Sequence, residues 1–233
     1  MFKLLSTANP KIQKGTEYGY LSFILHLAPA DVSGHEVCPK RTAGCTAACL
    51  NLAGRGGMFK KGETTNAIQK ARIRKTEYFF NNRQDFMLDL VADIRKAIRF
   101  ADKQGLIPVF RLNGTSDLSW EKYDAIPGQN IFEMFPNVQF YDYTKVLGRK
   151  VKQYPNYHLT FSRAESNDSD VAEALLQGMN VAAVYDTIPA GMYSADETDL
   201  RFLDPSVGMM GLKAKGRAKK DYTGFVIRLT EVA

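Results

Sequence analysis

From residue 107 onward the chain repeats one rhythm, and that rhythm limits its fold more than any other feature. A short apolar run gives way to a polar cluster and then to a helical or basic stretch. The runs at 107–112 (IPVFRL), 138–141 (VQFY), 157–161 (YHLTF) and 180–185 (NVAAVY) read as strands, and 207–212 and 225–229 offer two more. A β-rich run at 18–28 (YGYLSFILHLA) precedes them all. Helices are expected at 65–81, whose exposed side carries Lys70, Arg72, Arg74 and Lys75, and at 171–177, stopped by Gly178. Another is expected where Met87, Leu90, Val91, Ile94, Ala97, Ile98 and Ala101 recur at helical spacing before Gly105. A short helix should follow Asp117, and a basic helix should follow Lys145. Strands alternating with helices indicate parallel β/α units. Without a dinucleotide-binding glycine fingerprint, the expected fold is α/β: a compact or incomplete (β/α) TIM-type barrel with parallel strands. Residues 1–233 should form one domain, since no linker or repeat divides them.

In such barrels the chemistry gathers at the carboxyl ends of the strands. Polar residues recur there: Asn113, Ser116 and Asp117 in NGTSD, Asp142, Tyr143 and Lys145 in YDYTK, Ser162, Glu165 and Asn167 in SRAESN, and Asp186. Asp168 and Ser169 fit helix N-caps better than chemistry. His26 and His158 lie inside apolar strands and read as core histidines.

Residues 29–61 form a long loop holding all three cysteines, Cys38, Cys45 and Cys49. A secreted disulfide framework would use an even number spread along the chain, so this clustering points to a metal. Pro39, Gly44, Gly54, Gly56 and Gly57 let the loop wrap around one. His35 would complete a zinc site of three thiolates and one imidazole. Alternatively, the three thiolates would hold three irons of a [4Fe–4S] cluster and leave the fourth open. Spacing leaves both readings standing.

The formal charge is +6 and the pI about 9.1, compatible with a polyanionic partner. Lys213, Lys215, Arg217, Lys219 and Lys220 fall within eight residues, with Tyr193 and Tyr222 nearby. The run reads either as a solvated loop or as a phosphate-contacting arm. No apolar run approaches the roughly 18 residues of a membrane span. The start, Met1 to Ser6, lacks signal-peptide features, so a cytoplasmic protein without membrane contact is expected.

The stretches CPKRTAGCTAACLNLAGRG, RLNGTSDLSWE, FPNVQFYDYTK, NYHLTFSRAESN and GLKAKGRAKKDYTGFV resemble small phage-encoded proteins of the gene-product-88-like family, in consistent order over residues 18–228. The resemblance implies phage DNA modification. Some members look like short DNA 7-deazaguanine transglycosylases, which exchange guanine in DNA for a deazaguanine on a TIM-type barrel. On that footing Asp117, Asp142 and Asp186 would be the catalytic carboxylates. Asn113, Ser116, Tyr143, Lys145, Ser162, Glu165 and Asn167 would line the deazaguanine site, and Lys213, Lys215, Lys219 and Lys220 would contact DNA. The metal would be structural, closing the long loop. The related tRNA enzymes, however, carry their zinc cysteines late in the chain. A cysteine loop after the first strand is instead similar to the radical S-adenosylmethionine enzymes, although the spacing here is wider than theirs. Under that alternative a [4Fe–4S] cluster and S-adenosylmethionine are the cofactors, the latter bound by the NGTSD and SRAESN loops. A third reading is a non-catalytic, zinc-containing nucleic-acid-binding protein.

Overall fold

Residues 3–7 and 10–229 are described by the structure, a computed structural model. Met1 and Phe2, part of the start weighed above, lie outside the described residues. In chain order the elements begin with β1 (Leu5–Ser6), α1 (Pro10–Glu17) and β2 (Tyr20–Leu25), followed by α2 (Ala30–Ser33) and α3 (Ala43–Ala47). Next come α4 (Ala67–Asn81), α5 (Arg83–Asp102), β3 (Ile107–Arg111), β4 (Asp124–Ile126), β5 (Gln129–Asn130) and α6 (Ile131–Met134). The rest are β6 (Gln139–Thr144), β7 (Tyr157–Ser162), α7 (Asp168–Leu176), β8 (Val181–Tyr185), β9 (Met209–Lys213) and β10 (Val226–Ile227).

The fold is mixed α/β around a mostly parallel central sheet. Strands β2, β3, β6, β7, β8 and β9 pair successively and in parallel, and β1 adds an antiparallel edge to β2. Each apolar run became a strand because burial on both faces favours continuous apolar sequence; in β2 every residue after Tyr20 is buried. The predicted apolar stripe is the buried face of α5, from Phe86 and Met87 to Ala97 and Ala101. Its one acid, Asp93, accepts hydrogen bonds from the backbone N–H groups of Lys3 (2.7 Å) and Leu4 (2.6 Å), tying the first strand to this helix.

Several local expectations are corrected. No helix follows Lys145: Gly148 takes φ +68°, Pro155 closes the stretch, and the Arg149 side chain turns inward to a buried partner, Glu121. After Asp117 there is only a 3-10 turn at Trp120–Lys122 before the separate β4–β5 pair and α6. Between β8 and β9 the chain forms just one 3-10 turn, Arg201–Leu203. The 29–61 segment is not bare loop, since it contains α2, α3 and two 3-10 turns. At α7 the N-cap position falls to Asn167, with Asp168 and Asp170 in the first turn where the helix dipole favours acids.

One irregularity positions the site. β7 pairs with β8 at Phe161–Val181 and Ser162–Ala182, but further along β8 the partners are Val226 and Ile227 of β10. The two strands part at their carboxyl ends and β10 fills the gap. Arg163 spans the junction, donating to the backbone oxygens of Gly224 and Phe225.

Candidate functional site

The loop after β3 is laid along the segment that leaves β2. Gly114 N–H donates to the Leu25 oxygen (2.9 Å), the Thr115 hydroxyl to the Leu27 oxygen (2.6 Å), and Asp117 N–H to the Val37 oxygen (2.7 Å). Glycine is required at 114, because a Cβ there would come within 2.5 Å of Ile24 Cγ2 and 2.7 Å of the Leu25 oxygen. The consequence is that Asp117 stands beside the residue preceding Cys38. Asp117 is buried, at 8% exposure, and its Oδ2 accepts from Lys145 N–H at 2.8 Å. Oδ1 is buried with no hydrogen-bond partner among the described residues, and Arg149 Nη1, similarly unbonded, lies 3.9 Å away. Burial raises the Asp117 pKa against the opposing pull of the Lys145 N–H, the Thr144 hydroxyl and the Arg149 charge.

The cysteine segment is held by Glu165, 121 residues further along the chain. Its carboxylate accepts from the Thr42 hydroxyl and from Gly44 N–H, both at 2.7 Å, while the Thr42 side chain caps α3 by accepting from Cys45 N–H. Gly44 packs so closely on the 223–225 segment that a Cβ would meet Thr223 Oγ1 at 2.0 Å and Phe225 Cβ at 2.6 Å. Glu165, expected at the substrate, is therefore a clamp on the cysteine segment. Cys49 Sγ accepts from Asn51 N–H, and Asn51 is fixed by Arg72 and Gln69 of α4.

All three thiols are free and half-buried. Burial pushes the Cys38 thiol up to about 12, with Asp117, Cys49 and Cys45 adding to the rise, so the three sulfurs and this carboxylate share one neighbourhood. His35 does not join them in contact; its ring stacks on Phe80 with centroids 4.4 Å apart. As placed, no three histidine, cysteine, aspartate or glutamate side chains among the described residues are set to hold a metal together. Thiolate is nonetheless the donor that zinc and iron–sulfur clusters take, and Cys38, Cys45 and Cys49 are the side chains suited to either.

The other strand-end residues are spread over different tasks. Asp142 has no exposed surface. It lies on the face of β6 that Phe140 shares with the α5 core, accepting from Asn113 N–H (2.7 Å) and the Tyr157 hydroxyl (3.0 Å). Burial lifts its pKa to about 7 even though Arg111 and these donors pull it down. Asn113 is saturated: its side chain donates to the Leu118 oxygen and accepts from the Ser116 hydroxyl, Leu118 N–H and Trp120 Nε1. Asn113 and Ser116 thus fix their own loop. Asn167 does the same, accepting from Ala164 N–H and donating to the Ser162 oxygen. Ser162 is half-buried at the end of β7. Asp186 accepts from the N–H groups of Thr187 and Leu229, anchoring the chain beyond β10. Tyr143 lies on the opposite face of β6, under the Arg111 guanidinium at 4.9 Å.

That opposite face holds charges the sequence reading missed. Arg111 pairs with Asp199 (2.7 Å) and Arg201 with Asp204 (3.0 Å), while Leu200 and Phe202 of the same segment pack on Tyr141. The signal was present in IPVFRL, because an arginine inside an apolar strand demands a buried partner. His26 is half-buried where β2 ends; its pKa is lowered to about 3 by burial and by Arg72, Arg111 and Lys75. His158 is also half-buried, within hydrogen-bonding range of the Thr160 hydroxyl at 3.4 Å.

The cationic run borders the cysteine segment. Ala48 packs on the cluster of Ala214, Ala218 and Val226, beside the Thr223 contact to α3. Lys215 is committed to Asp196 at 2.6 Å, whereas Lys213, Arg217, Lys219 and Lys220 are exposed. Tyr193 is turned away, its hydroxyl donating to Asp204. No helix among the described residues is long and apolar enough to cross a membrane. A family model described as Gene product 88 matches residues 3–229. No curated protein and no solved structure matches the chain.

Proposed function

The chain belongs to the Gene product 88 family, and on that footing we propose that it is a DNA-modifying enzyme that exchanges guanine for a 7-deazaguanine base. One observation carries the reading. Because β10 fills the gap between β7 and β8, the cationic 213–220 run lies against α3, so a polyanion-facing surface and a site of thiols and a carboxylate are continuous. The consecutive order of the parallel strands fits an incomplete TIM-type barrel, with this surface at its carboxyl end.

We assign the reacting carboxylate to Asp117. Asp142 is sealed under the sheet and Asp186 receives Thr187 and Leu229, whereas Asp117 stands by the cysteines with Oδ1 outside any hydrogen bond. In base exchange its oxygen bonds to the anomeric carbon as the bond to guanine breaks and guanine takes up a proton. The incoming deazaguanine then loses a proton, bonds to the same carbon and releases the carboxylate. Burial favours the protonated form and raises the Asp117 pKa, while the Lys145 N–H, the Thr144 hydroxyl and the Arg149 charge pull back toward the ionised form that this step requires. Cys38, Cys45 and Cys49 would hold zinc or a [4Fe–4S] cluster. Bound there, the metal would cross-link the 29–61 segment over the strand ends.

The test follows labelled guanine released from DNA in the presence of a deazaguanine. Wild type should exchange, and replacing Lys213, Lys219 and Lys220 with Gln should weaken DNA binding and flatten its salt dependence. A second reading, the radical enzyme, has one observation in its favour: the cysteine segment leaves the carboxyl end of β2, the first of the parallel strands. Brown protein absorbing at about 400 nm that cleaves S-adenosylmethionine and exchanges no base would establish that reading instead. DNA binding with neither reaction would leave a non-catalytic, zinc-containing binding protein.

A further inference from the structure

Tyr222 has no role in the chemistry above, yet it is among the most exposed large side chains of the fold, at 78%. Its ring is not loose. The Arg228 guanidinium lies 4.4 Å from the ring centroid. Arg228 is itself fixed by donating from Nε (3.0 Å) and Nη2 (2.7 Å) to the Asp221 oxygen and from Nη2 to the Lys219 oxygen (3.0 Å). An aromatic ring is thus backed on one side by a held cation, and most of its remaining surface faces solvent. Arg217, Lys219 and Lys220 belong to the 3-10 turn Gly216–Lys220, two residues before the ring, and all three are exposed.

We propose that Tyr222 is a stacking platform for an unpaired base of single-stranded DNA, with Arg217, Lys219 and Lys220 on the flanking phosphates. The proposal rests on the DNA reading of this surface and names the form of DNA it takes. Two features argue for a single strand. Inside a duplex each base has both faces covered by its neighbours, so a protruding ring finds a partner only on a base that has left the stack. Reading a duplex groove calls for a helix or a two-stranded ribbon, whereas this segment presents a five-residue 3-10 turn and an isolated ring. The arrangement also suits an enzyme that must act on an extruded base, since a neighbouring unstacked base would be held close to the cysteine segment.

The experiment uses the full chain with labelled oligothymidylate, a duplex of equal length and the matching oligouridylate, read by fluorescence anisotropy. The single-stranded DNA should bind more tightly than the duplex. Tyr222→Ala should weaken it by about ten-fold or more, whereas Tyr222→Phe should retain most of the affinity. The salt slope of Tyr222→Ala should match wild type, because no phosphate contact is lost. In Tyr222→Trp the new indole emission should be quenched by the oligonucleotide, against the buried background of Trp120, the chain's one tryptophan. Equal affinity of Tyr222→Ala and wild type, or tighter binding of duplex, overturns the platform. If the lysine variants still weaken binding in that case, the DNA reading survives without it. Tighter binding of oligouridylate with the same Tyr222 dependence overturns the assignment to DNA.

Discussion

Asp142 and Asp117 are connected to the same guanidinium, that of Arg149, and yet the fold treats them in opposite ways. Asp142 reaches Arg149 through the Tyr157 hydroxyl, which donates to the carboxylate and accepts from Arg149 Nη2. Both of its oxygens are answered, and it helps hold β3, β6 and the start of β7 in register. Asp117 faces Arg149 directly at 3.9 Å, too far for a hydrogen bond, and keeps one oxygen unanswered beside the cysteine segment. A buried acid with both oxygens bonded is part of the scaffold, whereas a buried oxygen without a bond calls for an explanation. The contrast separates a carboxylate bonded at both oxygens from one that keeps a buried oxygen without a hydrogen bond.

The largest expected effect comes from removing what the two acids share. Arg149→Ala strips Glu121 of its paired partner, whose bonds are 3.0 and 2.5 Å, and leaves Asp117 and Tyr157 without their cation. With these side chains buried, the loss should be about 3–5 kcal/mol of folding stability, measured by chemical denaturation. A change below about 1 kcal/mol would mean that the network is not a unit.

Asp142 should show itself through pH. Its folded pKa, about 7, lies above the unfolded value of about 4, so the protonated form is the one the fold prefers. The associated stability is present in full below the unfolded pKa, declines as pH rises and is lost above about 7. Asp142→Asn, which has no proton to lose, should remove that decline, a differential of about 3.5 kcal/mol between pH 4 and pH 8. Parallel stability curves for variant and wild type would show that folding leaves this carboxyl's pKa unshifted.

The strands were legible because each apolar run is long enough to cross a sheet and is bounded by turn residues, and α5 was legible from its stripe. What escaped depended on contacts distant in sequence. Nothing in VIRL near the carboxyl end says that Val226 and Ile227 will wedge between β7 and β8, and it is this pairing that brings the cationic run to α3. Glu165 looked like a substrate ligand because its partners, Thr42 and Gly44, lie far back in the chain. The helix expected after Lys145 failed because local propensity gave way to a buried ion pair and to Gly148 and Pro155. His35 is close to Cys38 in sequence, yet stacking on Phe80 takes its ring elsewhere. The cysteine cluster and Asp117 were visible as residue types in suggestive loops; their adjacency was not.

The smallest effect on stability should accompany the largest effect on chemistry, and Asp117→Asn tests both. Asn keeps an oxygen to accept from Lys145 N–H and a polar atom to face the Thr144 hydroxyl. Arg149 retains Glu121 and Tyr157. Burial raises the Asp117 pKa, so its protonated form is favoured by folding and stability is lost as pH rises through that raised value. The neutral amide avoids this loss, and the variant should therefore gain on wild type as pH increases. The overall change should stay within about 1 kcal/mol, since a lost charge interaction with Arg149 opposes the relief from desolvation. Under the proposed base exchange, release of guanine should nevertheless fall by about a thousandfold, the scale for a group acting chiefly in the transition state, because an amide can neither offset the developing positive charge of the sugar nor bond to its anomeric carbon. Thermal unfolding at two pH values and the base-release assay on the same preparation decide the matter. A stable variant with normal exchange removes Asp117 from the reaction, and an unstable one moves it beside Asp142 as part of the scaffold.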